Sequence, residues 1–116
     1  MHISVPISCL LVRGDAWGTT PNAFLFSLHN KQEGLGPFKS IVKWPSGATY
    51  SSINYGPTFG GGHDIYVSDN ANTNGRSYTH FGHNYPVPGE VHGNGNDIFA
   101  GTNGFTPDAI EVFYLG

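Results

Sequence analysis

The sequence predicts a domain built mainly of β-strands, and three observations carry that prediction. Aromatic residues make up 14% of the 116-residue chain and charged residues only 11%. Disordered chains show the opposite balance. The 17 glycines and 8 prolines recur at short intervals, which breaks up any long helix. Residues 56–74, GPTFGGGHDIYVSDNANTN, join a glycine-rich turn, an alternating strand and an asparagine-rich loop. The length suits one domain.

Taken in order, residues 3–12 are mostly apolar but lack a basic leader and a small-residue cleavage site. They are too short to span a membrane, and an edge strand or frayed start is expected. Residues 15–22, DAWGTTPN, read as a loop, and residues 23–28, AFLFSL, as a strand buried on both faces. Residues 29–37 form a connection broken by Gly34, Gly36 and Pro37. The following strand alternates Phe38, Ser40, Val42 and Trp44 against Lys39, Ile41 and Lys43. Its lysines therefore share one face. A turn at residues 45–47 leads to a polar strand over 48–54, expected at a sheet edge.

In the central stretch, Gly60, Gly61 and Gly62 permit unusual dihedrals or a close approach by another part of the chain. Residues 64–68 alternate as a half-buried strand, and residues 69–75 form a loop whose Asn and Asp side chains tolerate left-handed backbone. Short strands are expected over 77–81, 97–100 and 110–115, with a long loop over 82–96. Thr106, Pro107 and Asp108 carry a helix-start or turn signature. No internal repeat or linker divides the chain.

The formal charge is −3 and the five basic residues are scattered, which argues against nucleic-acid binding. Cys9 is the single cysteine, so no intrachain disulfide or cysteine zinc cage can form. That usage slightly favours the cytoplasm over secretion. Asn70, Asn72, Asn74 and Gly75 mimic the start of an EF-hand loop, but Phe81 stands where a bidentate Glu is required. His80 and His83 would point to opposite faces of a strand. No G-x-S-x-G elbow, phosphate loop or activated cysteine is present. Arg13-Gly14-Asp15 is a tripeptide match of a kind common by chance. No catalytic residue and no cofactor are expected.

With these segments laid out, the chain resembles the TLDc domain family. The resemblance rests on AFLFSL at 23–28 followed by Gly36-Pro37-Phe38, on residues 56–70, and on Phe99-Ala100-Gly101 with Ile110-Glu111-Val112-Phe113. It implies a sandwich of two antiparallel sheets with short helices or turns. It also implies a non-catalytic protein-interaction module with a protein partner, linked to oxidative-stress protection and to regulation of the vacuolar proton pump. The matched domain is expected over 15–116, with 1–14 unmatched and the domain incomplete at its N-terminus. Gly60, Gly61, Gly62 and Asp64 are its structural motif, and Asp69, Asn70, Asn72 and Tyr66 its candidate binding residues. The alternative is a calcium- or glycan-binding sandwich in which Asp64, Asp69, Asn70 and Asn72 supply polar ligands and Tyr66 or Tyr78 a stacking face.

Overall fold

A computed structural model describes residues 2–4, 16–28, 32, 34–93 and 95–107. Its strands are β1 (His2–Ser4), β2 (Ala16–Thr19), β3 (Phe24–Ser27), β4 (Phe38–Ile41), β5 (Ser46–Ser51), β6 (Tyr55–Phe59), β7 (Ile65–Ser68), β8 (Ser77–Thr79) and β9 (Gly104–Phe105). They form two antiparallel sheets, ordered β1-β3-β4 and β2-β5-β6-β7-β8-β9. The helical element among the described residues is a single 3-10 turn, Ala71–Thr73. The prediction of a mostly β chain in two antiparallel sheets holds.

Period-2 alternation sets which face each strand buries. Leu25 and Ser27 of β3 point inward while Phe24 and Phe26 are half-exposed. The AFLFSL strand is therefore buried on one face, not both, and Lys39 Nζ sits 4.0 Å from the Phe24 ring centroid on the outer side. In β4 and its extension, Ser40 and Val42 are buried while Lys39, Ile41 and Lys43 face outward as expected. Trp44 leaves that row and is 59% exposed.

One buried cluster joins the two sheets. Leu25 and Val42 meet Ala48, Phe59, Ile65 and Val67 from the larger sheet. Phe81 and Phe99 cover it, with ring centroids 4.8 Å apart and each within about 6 Å of Phe38. These rings tie the long segment after β8 to β4.

Several local expectations change. Residues 16–19 are not loop but β2, because β5 supplies a partner that no local pattern announces. The polar strand β5 is interior, paired with both β2 and β6. Residues 97–100 form turns rather than a strand, with Ile98 N–H bonded to Gly95 O and Gly101 N–H to Asp97 O, and Ile98 and Phe99 both buried. Of the apolar segment expected as an edge strand or frayed start, Ile3 and Ser4 lie in β1, which pairs with β3 and is at the edge of its sheet among the described residues. Cys9, the Arg13-Gly14-Asp15 tripeptide, Asp108 and residues 110–115 lie outside the described residues.

Candidate interaction surface

The glycine-rich turn between β6 and β7 is shaped around one buried carboxylate. Asp64 is fully buried. Its Oδ2 accepts backbone N–H groups from Gly82 at 3.1 Å, His83 at 2.8 Å and Tyr85 at 3.2 Å, and its Oδ1 accepts that of Asn84 at 2.9 Å. Four successive residues thus turn their N–H groups to one anion, a nest filled by the protein's own side chain. Burial raises the pKa of Asp64 from its ordinary value, and the N–H groups of Asn84, Tyr85, His83 and Gly82 act against that rise.

The glycines fit this packing in two ways. Gly60 has a φ of +88°, and a Cβ there would overlap Asp64 Oδ1. Gly62 needs no unusual dihedral, but a Cβ on it would run into the His83 ring. Gly61 donates its N–H to Asn84 Oδ1 at 2.7 Å. Both readings of the triple glycine therefore apply, at different positions.

Asn84 carries the effect outward. Its Nδ2 donates to Trp44 O at 2.9 Å and Ser46 O at 3.3 Å, while Lys43 N donates to Asn84 O at 2.8 Å. Tyr85 is fully buried and its hydroxyl donates to Ala48 O at 2.6 Å. The segment from Gly82 to Tyr85 is thereby clamped between the Asp64 carboxylate and the start of β5. It begins a stretch expected only to be loop.

On the outer face of the larger sheet, the register places Trp17, Tyr50, Thr58, Tyr66 and Tyr78 in one row across β2, β5, β6, β7 and β8. Tyr55, His63 and His80 join them. Ring centroids lie 4.6 Å apart for Trp17 and Tyr50, 4.9 Å for Tyr55 and Tyr66, 5.0 Å for Tyr66 and Tyr78, and 4.7 Å for Tyr78 and His80. His63 sits among them with a left-handed φ of 57°, its Nδ1 2.8 Å from the Tyr78 hydroxyl. Burial lowers the His63 pKa, nearby His80 lowers it further, and Asp64 opposes. Burial raises the phenol pKa values of Tyr66 and Tyr78. Trp17 is 52% and Tyr55 37% exposed, so the rings form a half-open aromatic face.

The candidate binding residues divide. Tyr66 belongs to the aromatic face, whereas Asp69, Asn70 and Asn72 lie exposed at the far end of β7. Asn70 takes the left-handed conformation expected of this loop, at φ 51°. The loop closes through Asn74, whose Oδ1 accepts from Ser68 Oγ at 2.8 Å and Arg76 N at 3.0 Å. Its Nδ2 donates to Asp69 O and Asn70 O, both at 3.1 Å. An amide nitrogen therefore faces the carbonyls that a cation would need. Asp64 does not join Asp69, Asn70 and Asn72 in a ligand set, because both its oxygens are engaged by the segment after β8.

His80 packs on Tyr78 and His83 bonds Asn84 at 3.0 Å, so the H-x-x-H pair serves two separate contacts. No group of three or more metal-ligating side chains occurs among the described residues, and no helix there is long and apolar enough to cross a membrane. Sequence reasoning missed Asn84, the place of His63 and the common cleft of Trp17 and Trp44.

The family model described as TLDc domain matches residues 6–116. No curated protein and no solved structure matches the chain.

Proposed function

The chain belongs to the TLDc domain family, and from that premise we propose that it works as a protein-interaction module and not as an enzyme. The observation that carries this reading is the aromatic face of the larger sheet. Tyr and Trp are enriched at interface hot spots because they bury large area at low entropic cost while keeping a polar handle. Trp17 and Tyr55 are the large exposed hydrophobic rings of that face, and Tyr50, Tyr66 and Tyr78 pack beside them. The partner suggested by the family resemblance is the vacuolar proton pump, with protection against oxidative damage as the physiological outcome.

The test is binding of the whole chain to immobilised, detergent-solubilised vacuolar proton pump, followed by surface plasmon resonance. Wild-type protein is expected to bind, and Tyr55→Ala to weaken binding at least about tenfold, as a hot-spot truncation does. Absence of binding would remove the pump as partner. Binding indifferent to Tyr55→Ala would remove the aromatic face as the contact surface.

A further inference from the structure

Next to the aromatic face, Trp17 and Trp44 wall a shallow cleft of about 420 Å³ with Gly47 and Gly61. That volume lies in the range of small-ligand sites, roughly 300–1,000 Å³. The cleft is built on the clamp already described: Asp64 holds Asn84, and Asn84 holds the backbone carbonyls of Trp44 and Ser46. Its two tryptophans are the only two in the chain, and both are about half exposed.

The hydrogen-bonding groups left over are mostly donors. The carbonyls of Trp44 and Ser46 each already accept from Asn84 Nδ2, and Asn84 Oδ1 accepts from Gly61 N–H and His83 Nδ1. The two indole N–H groups and the Ser46 hydroxyl have no partner among the described residues. Among the described lining residues, the side-chain acceptors without a bond are His83 Nε2 and the Ser46 hydroxyl oxygen. The free side-chain donors outnumber the free side-chain acceptors, so a ligand rich in carbonyls and poor in N–H groups matches the lining better than an ordinary extended peptide does. A proline-rich segment brings carbonyl acceptors and no N–H, and its preformed polyproline II helix packs between aromatic walls. Charge narrows the ligand further. Lys43 Nζ lies 5.5 Å from the Trp44 ring centroid, and among the described residues no carboxylate lines the cleft.

We propose that the cleft between Trp17 and Trp44 binds a polyproline II segment of a partner protein that carries an acidic residue beside its prolines. This deepens the interaction reading above and rests on it.

The experiment titrates the full chain with an acetylated hexaproline peptide flanked by glutamates and follows tryptophan emission, which reports only on the cleft walls. A hexaglycine peptide with the same flanks and a cello-oligosaccharide serve as comparisons. The expected result is a saturable emission change with the proline peptide alone, weakened at least about tenfold by Trp44→Ala. That side chain is exposed, and it is the backbone carbonyl of Trp44 that anchors Asn84, so the variant keeps the clamp. Lys43→Glu is expected to weaken the acidic peptide several-fold, an effect that shrinks with added salt, and to leave uncharged hexaproline unaffected. No response to proline at millimolar peptide, an equal response to hexaglycine, or a response to the sugar instead would each overturn the proposal. Pump binding that is sensitive to Tyr55→Ala but accompanied by no peptide response would sink this inference and leave the interaction reading standing.

Discussion

The two ends of β7 carry the same kinds of side chain and use them in opposite ways. At its start, Asp64 reaches segments 18 to 21 residues away and is fully buried. At its end, the Asn74 side chain bonds only residues within six positions, in an exposed or half-exposed loop. One polar group joins distant parts of the chain and the other finishes a turn. The difference shows that a polar residue's structural weight depends less on its type than on how far its partners lie along the chain, and on whether water can replace them.

The largest effect should come from Asp64→Ala. Four backbone N–H groups would lose their acceptor in a buried setting, where each unmade bond costs on the order of 1–3 kcal/mol. A loss of about 4 kcal/mol is expected from guanidinium unfolding, together with release of the 82–85 segment. Gly60→Ala should come next, at about 3 kcal/mol, because it combines a left-handed backbone with a clash against Asp64. Asn74→Ala should cost about 1–1.5 kcal/mol, since solvent reaches much of the loop. Asn72→Ala, at an exposed position with no side-chain bond, should stay within about 0.5 kcal/mol of wild type. Equal losses for Asp64→Ala and Asn74→Ala in the same unfolding series would break the comparison.

The smallest effect concerns pH, at His63, the residue before Asp64. A histidine whose pKa is lowered on folding binds fewer protons folded than unfolded. Its stabilising contribution is therefore complete above its ordinary 6.5 and lost as pH falls through the lowered folded value. His63→Asn keeps a residue that tolerates the left-handed backbone. Thermal melts of this variant should lack the part of the acid-side decline that wild type shows below pH 6.5. A decline of the same size in both would remove His63 as its source.

What was legible in the sequence follows the same division. The strands β3, β4 and β7 and the loop after β7 could be read because alternation and Asx chemistry are local signals. β2 could not, because AWGT has no period of its own and becomes a strand only by pairing with β5. The glycines announced themselves, but the reason for them lies in Asp64 and His83, brought together by tertiary packing. The cleft was invisible for a similar cause. Trp17 reads as loop and Trp44 as the end of an alternating row, and nothing in 26 intervening residues says that their rings share a wall. Conversely, the asparagine loop looked more like a binding site than its closed hydrogen-bond pattern allows.

The register of β2 against β5 slips between Gly18 and Thr19, and among the described residues β2 is the terminal strand of its sheet. A growing fibril needs a flat edge whose amides and carbonyls repeat in step, so that each arriving chain copies the last. The slip twists this border out of step after three paired positions. An aromatic-rich, charge-poor chain of this kind carries a real risk of self-templated stacking, and at this border the irregularity is its safeguard.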